Sequence, residues 1–285
     1  MQQWSPSQAP MNPPGGKAMR LYISADIEGI VGVVTRDHTS PEGFEYDRAR
    51  DWMTDTVVAA CEAAQEAGAT EIVISDSHGN GESLKIDRLP ESVQLVRSWP
   101  RPLTMMQGIE VGAFAGALLI GYHAGGSNPS GVLAHTLTGG FQEVRVNGQV
   151  LNEAGLNAAI AGHYSVPVIY ASGDDVATAE IRDILGDIET TTVKWAHGTR
   201  SARTLTPAAA HKAVRDGVKR SIARIGEARP FRLKGPLALE IRFRDRQKVE
   251  HLAYLRFITQ VDTYTIRYEA EDAVDMSKFL MFLLG

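Results

Sequence analysis

Four short apolar runs, each closing on polar and glycine-rich sequence, constrain this chain more than any other feature. The first, Leu21-Tyr22-Ile23-Ser24-Ala25-Asp26, opens into Gly29, and the second, Glu71-Ile72-Val73-Ile74-Ser75-Asp76, ends at Ser77-His78-Gly79-Asn80-Gly81. The third, Ala117-Leu118-Leu119-Ile120-Gly121-Tyr122, runs into His123-Ala124-Gly125-Gly126, and the fourth, Val166-Pro167-Val168-Ile169-Tyr170-Ala171, into Gly173-Asp174-Asp175. Short, continuously apolar runs are the pattern of strands buried on both faces, as in a parallel sheet. A helical segment over 46–67, closed by Gly68, supplies the crossover between the first two. Open sheets of this kind bind ligands at the carboxyl ends of their strands, which is where the polar residues fall.

The rest of the chain organises around that sheet. Residues 141–151 alternate in polarity around Asn147-Gly148, a hairpin signal, and the helix that follows to about Gly162 carries Glu153 in its first turn. From about residue 200 the pattern changes to a helix over 207–225, strand-like runs near 236–243 and 262–269, and a final helix to Leu284. The expected fold is α/β: a largely parallel central sheet with flanking helices, plus a smaller C-terminal α+β domain. Residues 19–200 are expected to form the metal-binding catalytic domain and 201–285 a unit for assembly or substrate enclosure. With 285 residues, 44% of them hydrophobic, the chain can fill two such cores. Residues 1–18, rich in Gln, Pro, Ser and Gly, lack the apolar run of a signal peptide or membrane span and read as a disordered tail.

Charge and cysteine usage narrow the partners. A net charge of -5, with 22% charged residues of mixed sign, provides no basic stripe for nucleic acid. Cys61 is the only cysteine, so a thiolate metal cluster and an intrachain disulfide are excluded, and a reducing, cytoplasmic setting is expected. Its helical surroundings make it a buried structural thiol.

The strand-end residues have the chemistry of metal ligands. Asp26 and Glu28 project to one side if the strand stays extended; His78 and His123 each end a different apolar run beside glycines; Glu153 opens a helix. Singly, each is commoner as a solvated carboxylate or a structural histidine. Together, Asp26, Glu28, His78, His123 and Glu153 exceed the three protein ligands that a catalytic Zn2+ commonly takes. If Asp26 bridges, two ions each receive three protein ligands and share a water. Mixed imidazole and carboxylate ligation suits Zn2+, with Mn2+ or Co2+ as substitutes, rather than Mg2+ or Ca2+. The chemistry that follows is hydrolysis. His135 is a candidate general acid or base, or a donor to the tetrahedral intermediate, while His38, His163, His197, His211 and His251 have no comparable setting.

The segments Ser24-Ala25-Asp26-Ile27-Glu28-Gly29, Asp76-Ser77-His78, Gly121-Tyr122-His123-Ala124, Asn152-Glu153-Ala154-Gly155-Leu156-Asn157-Ala158 and Gly173-Asp174-Asp175 resemble the DppA-type D-aminopeptidases, zinc peptidases linked to dipeptide-transport operons. The match runs in order from Met19 to about Leu205. It implies a dinuclear zinc site on the five residues named above, a catalytic role for His135, and release of N-terminal residues, often D-Ala, from short peptides. It also implies homo-oligomers, typically decamers of stacked rings. The sequence departs from the family pattern at Ala134, where a Ser is familiar, and residues 1–18 have no counterpart.

The leading reading is therefore a metallo-aminopeptidase. The alternatives are a metal-dependent phosphoester or amide hydrolase and a non-catalytic, metal-stabilised peptide-binding accessory. The phosphoester reading lacks a phosphate-binding glycine loop or arginine cluster; the accessory reading would need closed, four-ligand metal sites. Asp174 and Asp175 are expected to cap a helix or support the site rather than ligate. Lys194 is expected to be solvated, with orientation of a substrate carbonyl or carboxylate as its functional alternative.

Overall fold

The computed structural model describes residues 19–285; the tail expected over 1–18 lies outside the described residues. In chain order the elements are β1 (Met19–Ala25), α1 (Tyr46–Glu66), β2 (Ala69–Asp76), β3 (Val93–Val96), β4 (Gly116–Tyr122), β5 (Phe141–Val146), β6 (Gln149–Val150), α2 (Glu153–His163), β7 (Val168–Asp174), α3 (Asp175–Leu185), β8 (Glu189–Gly198) and β9 (Ser201–Thr204). They continue with α4 (Pro207–Ala223), β10 (Leu237–Phe243), α5 (Arg246–Leu252), β11 (Ile258–Gln260), β12 (Thr265–Ala270) and α6 (Ala273–Leu284). Among the described residues, no helix is long and apolar enough to cross a membrane.

The four apolar runs become β1, β2, β4 and β7 of a sheet ordered β3-β2-β1-β4-β7-β8-β9, parallel except for β9. From β1 the chain winds outward through β2 and β3, then returns to the other side of β1 at β4. The β1/β4 boundary is therefore the topological switch point, where a crevice opens at the carboxyl ends of the strands. Period-two alternation divides the core between the two faces. Leu21, Ile23, Ile72, Ile74, Leu118 and Ile120 pack under α1 and α4, whereas Tyr22, Val73 and Leu119 face α2 and the second sheet, joined out of phase by Tyr122, which follows the irregularity at Gly121.

That second sheet, β11-β12-β10-β5-β6, is antiparallel. The Asn147-Gly148 turn has both residues at positive φ, as a tight hairpin requires. The hairpin lies mid-chain, yet β5 pairs with β10 (Val144↔Ile241, Arg145↔Glu240), while β9, from beyond residue 200, completes the first sheet and α4 packs on its face. The change of sheet thus does not fall at the single point near 200 expected from the sequence. A hairpin with one buried face must find a cover, and the chain returns to it about a hundred residues later.

Backbone proximity at the switch point depends on two glycines. A Cβ on Gly29 would lie 2.0 Å from the Tyr122 carbonyl oxygen, and one on Gly121, whose φ is +73°, would lie 2.2 Å from the Asp26 carbonyl oxygen. Gly29 N–H donates to Gly121 O at 2.7 Å, and Asp26 N–H to Ile120 O at 2.8 Å. The loops after β1 and β4 are pressed together because neither residue has a side chain there.

Candidate metal centre

Each candidate side chain sits where a strand or helix ends. Asp26 follows β1 directly, but the extended backbone does not continue to Glu28. The chain turns, with Ile30 N–H donating to Ile27 O at 3.0 Å, and the turn rather than the pleat brings the second carboxylate to the site. His78 lies two residues past the end of β2 and His123 directly past β4. Glu153 is the first residue of α2, whose N-cap Asn152 accepts from Gly155 N–H at 3.0 Å. A helix N-terminus favours a carboxylate there.

A buried polar network registers these segments against one another. Ser24 Oγ lies 2.8 Å from Ser77 Oγ and 2.7 Å from the Tyr122 hydroxyl, which accepts from Asn157 Nδ2 at 2.7 Å. Ser24 lies two residues before Asp26, Ser77 and Tyr122 directly precede His78 and His123, and Asn157 is one helical turn beyond Glu153. The network therefore ties together the four elements that carry the site. Glu180, from α3, adds a second tie by accepting from Gly125 N–H at 2.8 Å and Asn152 Nδ2 at 3.0 Å.

The five side chains meet. His78 Nδ1 is 3.3 Å from Asp26 Oδ1 and 3.0 Å from Glu28 Oε2; His123 Nε2 is 3.3 Å from Asp26 Oδ2 and 3.3 Å from Glu153 Oε2. Asp26 thus turns its two oxygens toward different histidines. His135 stacks on His123 with ring centroids 4.1 Å apart, its Nε2 3.8 Å from Glu153 Oε1.

The outer nitrogens of the three imidazoles are committed. His78 Nε2 donates to Thr39 O (2.7 Å), His123 Nδ1 to Ala124 O (3.0 Å) and His135 Nδ1 to Leu133 O (2.9 Å). A neutral histidine held this way presents a lone pair inward, the orientation of a metal ligand fixed by its outer hydrogen bond. Buried His123 Nε2 and Glu28 Oε2 have no hydrogen-bond partner, so the close approaches around them are not aligned hydrogen bonds. Lone pairs converging in a buried space call for a cation between them.

The electrostatics agree. All five side chains belong to residues only 1% to 8% exposed, so the site concentrates three carboxylates away from water. Burial, joined by the Glu28 charge, raises the Asp26 carboxyl above its ordinary range. Burial also works against an ionised Glu28, but His78 outweighs it and holds that carboxyl well below the usual value. For His78 and His123, burial favours the neutral ring, and the facing carboxylates reverse this, holding both well above the ordinary histidine range. Protons on the rings and a cation among the oxygens answer the same charge excess. The donor atoms of Asp26, Glu28 and His123, and those of His123, His135 and Glu153, lie within 4.8 Å of one another, a spacing that fits ion coordination.

Lys194 corrects the sequence reading. It is fully buried in β8, and its ammonium donates to the carbonyls of Glu28, Ile30 (3.1 Å) and Val33 (2.5 Å). It clamps the loop that carries Glu28 and is neither solvated nor presented to a substrate. Burial pulls its pKa down to about 8 against the opposing charges of Asp174, Glu28 and Asp26. Lys194→Met is expected to lower unfolding free energy by about 3 kcal/mol, since three buried carbonyls lose their donor. Urea denaturation of the metal-free protein checks this; an unchanged midpoint would remove the clamp. Asp174 caps α3 by accepting from Ala177 N–H at 2.8 Å, and Asp175 accepts from Ala196 N–H at 2.8 Å, the supporting roles expected of them. Cys61 is buried, which pushes its thiol up to about 12 and leaves it inert.

The site opens into a cavity of about 890 Å3 lined by Asp26, His78, His135 and Glu153 and also by Trp99, Phe243, Arg244, Lys248 and Leu284. The last four come from the end of β10, the segment after it, α5 and α6, and these individual residues were not legible in the sequence. Arg244 is the one arginine on this lining.

Residues 19–282 match the family model for D-aminopeptidases, Peptidase M55. A D-aminopeptidase of Bacillus subtilis (strain 168) is 29% identical over 267 residues, which are 93% of this chain and 96% of that protein. A similar solved structure is the Zn-dependent D-aminopeptidase DppA from Bacillus subtilis, a self-compartmentalizing protease. It is 28% identical, with a TM-score of 0.89 over 93% of this chain and 97% of that one.

Proposed function

The chain belongs to the D-aminopeptidase family, Peptidase M55, and from that premise we propose that it is a dinuclear zinc aminopeptidase. It releases N-terminal residues, D-amino acids such as D-Ala among them, from short peptides. The observation that carries the two-ion reading is the position of Asp26, with one oxygen toward His78 and the other toward His123. Asp26, Glu28 and His78 would hold one ion, and Asp26, His123 and Glu153 the other, with Asp26 as the bridge. Bound there, Zn2+, or Mn2+ or Co2+ in its place, supplies Lewis acidity toward a peptide carbonyl and an acidified water.

The chain's own residues do the rest. His135 lines the cavity with its Nε2 beside Glu153, where it can hand a proton to the leaving amide nitrogen or donate to the oxygen of the tetrahedral intermediate. The outer hydrogen bonds of His78, His123 and His135 hold the rings in place throughout, so little reorganisation accompanies reaction.

We extend the reading to a homo-oligomer, a decamer of stacked rings, working in the cytoplasm. Its support is the self-compartmentalizing relative and the large apolar side chains left exposed on one chain, Phe44, Tyr254, Phe257 and Phe282 among them. Activity is tested by incubating the zinc-loaded protein with D-Ala-D-Ala, L-Ala-L-Ala and an aryl phosphate. Release of D-Ala, abolished by a chelator, is expected; binding without cleavage of either dipeptide, or hydrolysis of the aryl phosphate instead, would overturn the reading.

A further inference from the structure

The structure assigns a second recognition site in the same cavity: Arg244 and Lys248 form a cationic mouth that binds the C-terminal carboxylate of short peptide substrates. This deepens the aminopeptidase reading and rests on it. Asp26 and Glu153, at the base, are buried, while Arg244 and Lys248, which line the same cavity, are exposed. The cavity therefore runs from the buried metal site to a basic opening.

Four cations occur close together in sequence, and their pairing separates them. Arg242 pairs with Asp262 at 3.2 Å and Arg246 with Glu250 at 2.9 Å. Among the described residues, Arg244 and Lys248 have no acidic partner within ion-pair distance, and these are the two that line the cavity. The one acidic side chain beside them on the lining, Asp245, accepts from Gln247 N–H through Oδ1 at 2.9 Å to cap α5.

Arg244 is held in place. Its Nε donates to Gly139 O at 3.1 Å and its Nη2 to Gly126 O at 3.4 Å, while Gly126 N–H donates to Thr136 Oγ1 at 3.0 Å. The guanidinium is thus registered to the loop bearing His135, and its remaining N–H groups are left for a ligand. The wall between base and mouth is apolar, with Phe141 and Phe243 packed edge to face at 5.2 Å, which strengthens charge recognition there. A short peptide whose scissile amide lies at the buried metal site carries a C-terminal carboxylate that complements the basic mouth. Each extended residue spans about 3.5 Å, so only short peptides place both ends at once.

The test compares D-Ala peptides of two, three and four residues as free acids and as C-terminal amides, with KM and kcat measured separately. Amidation is expected to raise KM about tenfold or more for at least one length, with kcat little changed. Arg244→Gln with Lys248→Gln should raise the KM of the acid to that of the amide, and the exchanged pair Arg244→Lys with Lys248→Arg should keep most of the preference. Lys248→Gln alone, at an exposed side chain, should lower the preference about threefold and serves if the double variant does not fold. Equal KM for acid and amide at all lengths, a preference surviving in the double variant, or a preference undiminished in Lys248→Gln, would overturn the assignment. If no peptide is cleaved, the aminopeptidase reading has failed separately. Calorimetry with a dipeptide whose scissile amide is reduced to a methylene-amine, against its C-terminal amide, then decides: tighter binding of the acid supports the mouth, and equal affinities refute it.

Discussion

Asp26→Asn is expected to lower kcat/KM by about 10^3-fold or more while leaving a folded protein. Asparagine keeps the oxygen that accepts from Ile27 N–H at 2.8 Å, so the turn after β1 retains its bond. What it loses is the charge, and the second anionic oxygen between His78 and His123. An amide offers one weak oxygen donor where a bridge requires two. Metal analysis of the variant should therefore show a clear deficit beside the loss of rate, with an unchanged circular dichroism spectrum. Near-normal activity with full metal content would mean that Asp26 is not the bridge.

His135→Phe is expected to keep the metal and lose about 10^2- to 10^3-fold in kcat, with KM changed much less. Phenylalanine preserves a flat ring against His123, where the histidine rings stack 8° from parallel, and it removes both nitrogens. The measurement separates two roles that the geometry allows, because His135, His123 and Glu153 donor atoms could also share an ion. Retained metal with a lost turnover step places His135 in the reaction itself, as proton donor or as donor to the tetrahedral oxygen, rather than among the ligands. Loss of one ion from His135→Phe would make it a ligand instead.

Much of this site was legible in the sequence because its residues are placed by local grammar. Asp26, His78 and His123 follow directly or closely on buried runs, and parallel sheets present such positions on one edge. Glu153 was legible as the first residue after the N-cap Asn152. What was not legible depends on contacts between distant segments. Lys194 has no local mark of burial; its role exists only because β8 passes under the loop after β1, more than 160 positions earlier in the chain. Arg244 and Lys248 reach the cavity because β10 pairs with β5, and sheet register between such remote strands leaves no signature in either. The mid-chain hairpin shows the same limit: its own turn was readable, the sheet it joins was not.

The most direct test of the two-ion centre is metal stoichiometry measured against activity. Metal-free protein would be titrated with Zn2+ while bound metal per chain and D-Ala-D-Ala hydrolysis are followed in parallel. The bridged Asp26 centre predicts saturation at two ions per chain, with full activity reached only as the second ion binds. Saturation at one ion per chain with full activity would contradict it.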